Sequence, residues 1–218
     1  MSADCKKFAL FQLARGFADN HLLSGDRSMT TPLPPNPVIA LLGRRLRLAV
    51  IGGGPGSFIA PQHRQAARTD DRFEIVAGVL SSDPQASVAA GRALGLDPQR
   101  CYPDAMTLLA AESARPDGAD AVAIMTPNHL HFPQAMAALA HGFDVICDKP
   151  MTNTLAEAEA LREKVRATGR VFCLTHNYSG YPLVRQARAM VAAGELGEIR
   201  LVQVEYVQGG RAKPGPGR

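Results

Sequence analysis

A chain of 218 residues that is 46% hydrophobic can bury a substantial core, and its length suits one large domain or one and a half ordinary ones. Its net charge of +4 comes from scattered arginines rather than a basic stripe interleaved with aromatics, which argues against a nucleic-acid surface. No run approaches the roughly 18 apolar residues of a membrane span, and the 4 cysteines include no Cys-x-x-Cys pair, so reduced, mostly buried thiols in a cytoplasmic setting are expected.

Residues 1–43 do not read like the rest. Thr31-Pro32-Leu33-Pro34-Pro35-Asn36-Pro37 is a linker of restricted, extended backbone. Upstream lies a short amphipathic piece with Phe8, Phe11 and Leu13, and Lys6-Lys7 lacks the uninterrupted apolar run and cleavage site of a signal peptide. Met29 offers a later start site, and the whole stretch is expected to be a disordered extension.

From Arg45 the pattern becomes regular. Strands are expected at 46–51, 73–80, 121–126, 143–147 and 171–175, with helices at 56–69, 84–95, 103–113, 131–141 and 154–168 between and after them. Thr154 and Glu157 form a capping box, and Gly169 supplies the stop. Such alternation, with continuously apolar strands, predicts a parallel sheet covered by helices on both faces over 44–178. Residues 179–218 then read as the incomplete start of a second domain: a helix at 182–193, a strand at 199–207, and a Gly/Pro-rich basic tail.

The first motif leaves the first strand. Gly52-x-Gly54-x-x-Ser57 between a strand and a helix presents backbone N–H groups to a pyrophosphate. Gly52 permits the tight turn, Gly54 the close approach, and Ser57 stands where helix and strand touch. Pro55 and Gly56 complete the loop. A glycine-rich turn without ligand and a SAM site are the rival readings.

An acid normally closes the second strand and holds the adenine ribose. Here Ser81 takes that place, Asp83 lies two residues too far, and Asp70 and Asp71 precede the strand. Without an acid nothing repels a 2′-phosphate, and without an arginine at 81–83 nothing welcomes it. NAD and NADP both remain, with NADP slightly favoured.

Thr126-Pro127-Asn128 ends the third strand, where parallel sheets bind ligands. Asn128 could equally be a helix N-cap. His129 and His131 form an H-x-H without a fitting third ligand, so no metal is assigned, and His63 reads as a packed helix residue. Asp148-Lys149-Pro150 puts charge at the end of an apolar run, where charge is costly without a task.

Together Gly52 to Ser57, Thr126-Pro127-Asn128, Asp148-Lys149-Pro150 and Gly194-x-x-Gly197 resemble the glucose–fructose oxidoreductase/inositol dehydrogenase (Gfo/Idh/MocA) family over roughly residues 45–208. The resemblance implies a Rossmann-type doubly wound domain followed by an open-sheet domain, and hydride transfer between NAD(P) and a sugar or polyol. The usual Glu-Lys-Pro is here Asp148-Lys149-Pro150, one methylene shorter. By resemblance Lys149 is catalytic beside the nicotinamide, Asp148, Pro150, Thr126, Pro127 and Asn128 line the cofactor, and Asn177 and Tyr178 face the substrate.

The family also carries a later Asp-x-x-x-His segment, but the last histidine of this sequence is His176. The chain therefore reads as a truncation or frameshift product, expected to bind cofactor and turn over slowly at best. Two alternatives stand beside the enzyme: a non-catalytic nucleotide-binding fragment, and a module that pairs through strand 199–207. A homo-oligomer would form through the second-domain sheet.

Overall fold

The first regular strand is Leu-Arg-Leu-Ala-Val-Ile-Gly, β1 (Leu46–Gly52), and from Leu48 to Ile51 both of its faces are buried. Burial on both faces is why such strands lack the polar alternation of a solvated sheet. β2 (Phe73–Val79), β3 (Ala121–Met125), β4 (Asp144–Cys147) and β5 (Phe172–Leu174) join it in one sheet of order β2-β1-β3-β4-β5. Every pairing is parallel, and β3 is buried along its whole length. These coordinates belong to a computed structural model that describes residues 36–207. The expected disorder of the first 35 residues lies outside the described residues.

Side chains of β1 alternate between the two layers. Leu48 and Val50 pack with Ala60 and Ala67 of α2 (Ala60–Thr69) and Ala90 of α3 (Pro84–Ala93). Ala49 and Ile51 face the larger cluster. That cluster is supplied by Leu108 and Leu109 of α4 (Ala105–Ala114), Ala135, Ala138 and Leu139 of α5 (Asn128–Ala140), and Leu161 of α6 (Leu155–Thr168). The result is the Rossmann-type α/β sandwich expected from the alternation. α6 carries the capping box at Thr154 and Glu157 and ends on left-handed Gly169.

Three segments differ from expectation. Within the linker, Pro37–Leu42 forms a short helix, α1, because Asn36 accepts from the N–H groups of Val38 and Ile39 and Gly43 closes the far end in the left-handed conformation. The Pro55-Gly56 turn delays α2, which begins at Ala60 rather than residue 56. Residues 199–207 form no strand, since apolar character alone makes no ladder without a partner, and none pairs there among the described residues.

The chain divides into two units, Met1–Thr175 and His176–Arg218. The first holds the sheet. The described part of the second holds a 3-10 turn at Asn177–Gly180 and helix α7 (Pro182–Ala192). Among the described residues no helix is long and apolar enough to cross a membrane.

One buried network secures the approach to β3. Glu112, 1% exposed, accepts from Arg100, from the Tyr102 hydroxyl at 2.8 Å and from the Ala119 N–H at 3.0 Å. Burial, reinforced by the Glu112 carboxylate, pushes the Tyr102 hydroxyl up to about 12. Replacing Glu112 by Leu leaves the Arg100 guanidinium only its longer contacts to Asp117, at 3.4 Å to the carbonyl and 3.8 Å to the carboxylate, so Glu112→Leu should cost about 3–5 kcal/mol in denaturant unfolding. A loss below about 1 kcal/mol, the worth of a surface ion pair, would show the network to be dispensable.

Candidate active site at the carboxyl edge of the sheet

Parallel strands place all their carboxyl ends along one edge, and the strand order reverses at β1, which has β2 on one side and β3 on the other. Such a reversal opens the crevice in which doubly wound sheets bind ligands. Gly52 to Ser57 leave β1 there, Leu80 and Ser81 leave β2, and Thr126 to Asn128 leave β3. Asp148 to Pro150 leave β4, and Thr175 follows β5.

The glycines are required by what lies behind them. A Cβ on Gly54 would stand 1.7 Å from the Leu80 carbonyl oxygen, which no adjustment of a side chain relieves. Gly52, at φ +88°, would place a Cβ 2.7 Å from the Met125 carbonyl carbon. The loop backbone thus rests directly on the ends of β2 and β3. Gly53, rather than Ser57, makes the close approach to the helix, its would-be Cβ lying 2.7 Å from the Cβ of Ala60. Ser57 instead closes the turn, donating its N–H to the Gly54 carbonyl at 3.0 Å and accepting the Ala60 N–H on Oγ at 3.3 Å.

Pro55 and Gly56 are exposed at the tip. A cavity of about 180 Å³ is lined by the loop, Leu80, Ala90 and Arg64. The larger groove, about 330 Å³, is lined by Arg45, Asp71 and Phe73 near the amino end of β2 and holds none of the candidate residues.

Ser81 is half-buried just beyond β2 and accepts the Asp83 N–H at 3.1 Å. Asp83 itself caps α3 through the Ala86 N–H at 2.6 Å, and Asp71 is paired with Arg45. Asp83 and Asp71 are therefore engaged elsewhere. Thr126 donates to Gln134 at 2.7 Å, while Pro127 and Asn128 are exposed. The N-cap of α5 is Pro127, and Asn128 is the first helical residue.

Lys149 and Pro150 are exposed, joined by a cis peptide. Their neighbours are tightly held. Asp148 Oδ1 lies 2.8 Å from His63 Nε2 and accepts the Thr175 hydroxyl at 2.7 Å. Burial pushes the Asp148 carboxyl up, but the bonds from His63 and Thr175 and the charges of His63 and His131 outweigh it, so it sits below the usual carboxylate range. His131, 1% exposed, has Nδ1 2.7 Å from the Pro150 carbonyl oxygen and Nε2 2.8 Å from that of Thr126. His129 is exposed, so the H-x-H pair does not converge. Among the described residues no group of three or more His, Cys, Asp or Glu is placed to hold a metal.

Asn177 and Tyr178 open the second unit. There the Tyr178 hydroxyl lies 2.9 Å from that of Tyr206, and its ring meets Tyr181 edge-on at 5.4 Å.

Thr175, at the carboxyl end of the fifth strand, is expected to face the cleft, whereas His63 and His131 are not assigned to the site by the sequence. His63 stands between buried Ala60 and Ala67 at helical spacing, the one sign that it faces inward. Nothing in the sequence says which group it would meet.

A family model described as an oxidoreductase family with an NAD-binding Rossmann fold matches residues 46–176. An uncharacterized oxidoreductase of Bacillus subtilis, YfiI, is 36% identical over 170 residues, 78% of this chain and 43% of that protein. An inositol dehydrogenase homolog from Azotobacter vinelandii, solved with NADH and myo-inositol, is 50% identical with a TM-score of 0.70, over 72% of this chain and 41% of that one. An oxidoreductase from Sinorhizobium meliloti is 50% identical with a TM-score of 0.69, over 72% of this chain and 44% of that one. The chain thus spans less than half the length of these relatives.

Two outcomes test this geometry. Gly54→Ala must displace the loop from the end of β2, costing about 1–3 kcal/mol in unfolding measurements. A loss near zero would mean the loop does not rest on Leu80. The depressed Asp148 carboxyl contributes stability that is complete above about pH 4, the range of an unfolded aspartate, and is lost as pH falls through its lower native value. The stability gap between the wild type and Asp148→Asn should therefore narrow between pH 6 and pH 3. A gap independent of pH would contradict the network.

Proposed function

Because the chain belongs to the Gfo/Idh/MocA oxidoreductase family, with its NAD-binding Rossmann fold, we propose that it serves hydride transfer between a nicotinamide dinucleotide and a hydroxyl or carbonyl of a sugar or polyol. One observation carries this reading: the glycine cradle of β1 and the Asp148-Lys149 segment of β4 share the carboxyl edge of one sheet, on either side of β3. A cradle in which Gly52 and Gly54 leave no room for a Cβ fits the close backbone approach a pyrophosphate needs.

The roles follow from position. The backbone of Gly52, Gly54, Pro55, Gly56 and Ser57 holds the pyrophosphate, and Ser81 meets the adenine ribose. Thr126, Pro127, Asn128, Asp148 and Pro150 line the nicotinamide half. A bound nicotinamide supplies the hydride acceptor or donor. The exposed Lys149 ammonium orients the substrate oxygen and stabilises negative charge as its proton leaves.

Myo-inositol, present in the A. vinelandii structure, is the first polyol to test. Ser81, with Asp83 tied to α3, leaves the 2′ position neutral, so NADH and NADPH affinities should differ by no more than about tenfold.

Titration of nicotinamide fluorescence is direct here, since the chain contains 0 tryptophans. Saturable NADH binding is expected. Lys149→Ala should leave affinity within about threefold while lowering any polyol oxidation by 10²–10⁴, roughly the worth of a positioned proton-transfer group. Absence of binding to both dinucleotides would overturn the proposal.

A further inference from the structure

His63 belongs to the helix that follows the glycine loop, yet its ring reaches the acid beside Lys149. Two strand ends and a helix meet at one atom: Asp148 Oδ1, after β4, meets His63 Nε2, from the helix after β1, and the Thr175 hydroxyl, after β5. His63 and Asp148 side chains are only 16% and 14% exposed, so the pair is shielded enough for its geometry to persist. Both contacts fall on Oδ1, and none falls on Oδ2 among the described residues.

We propose that His63 is a positioning residue, which rests on the dinucleotide-binding reading above. It turns Asp148 so that Oδ2 accepts a hydroxyl of the nicotinamide-side ribose, and it ties the pyrophosphate-binding helix to the lysine segment. His131 holds the other flank of that segment through the Pro150 carbonyl. A ligand that fills only the adenosine and pyrophosphate part of the crevice gains nothing from this arrangement. A complete dinucleotide does.

The test compares NADH with ADP, which keeps the adenosine and pyrophosphate but lacks the nicotinamide-side ribose, on the full chain. His63→Leu should weaken NADH about tenfold or more, the worth of one charge-assisted hydrogen bond, and leave ADP within about twofold. His63→Gln, which retains a donor, should recover most of the loss. Equal weakening of both ligands, or none of either, would overturn the proposal by reducing His63 to a structural residue. Should His63→Leu fail to fold, NMR of the unsubstituted protein decides. The His63 ring signal should move on NADH saturation and stay in place with ADP; the same response to both overturns the inference. If the wild type binds neither ligand, the dinucleotide reading itself falls and takes this inference with it.

Discussion

Everything at the candidate site depends on a backbone-to-backbone contact: the glycine loop lies on the ends of β2 and β3 with no room for a side chain between. At Gly54 the neighbour is a carbonyl oxygen, which is fixed by its own strand and cannot move aside. That contact sets the height of the loop above the sheet. It also fixes where helix α2 begins, and so where His63 stands one turn later. From His63 the geometry passes to Asp148, and from Asp148 to Lys149.

The electrostatics of the edge are divided by strand. At β2 Asp83 is withdrawn into a helix cap and Asp71 into a pair with Arg45, leaving Ser81 at the position proposed to meet the ribose. At β4 the acid is kept ionised by two bonding partners despite its partial burial. One end of the crevice is therefore neutral and permissive, and the other is polarised and tightly specified.

Much of this was legible in the sequence, for a physical reason. Strands buried on both faces must be continuously apolar, so β1 and β3 announce themselves, and the capping box and Gly169 mark α6 with local chemistry alone. The glycine loop and Asp148-Lys149-Pro150 were legible because each puts an unusual residue at a strand end. What stayed hidden was decided by tertiary neighbours. Gly53 takes the helix contact expected of Ser57 because α2 starts four residues late. His63 and His131 acquire their partners only when β4 arrives beside β3. Residues 199–207 have the composition of a strand, but a strand exists only with something to pair.

The central claim is that one ligand spans the glycine loop and Lys149. A crystal structure of the chain grown with NADH tests it most directly. The pyrophosphate is expected against the backbone of Gly52 to Ser57, and the nicotinamide ribose on Asp148 beside Lys149. A dinucleotide seated elsewhere, or with its nicotinamide directed away from β4, would contradict it.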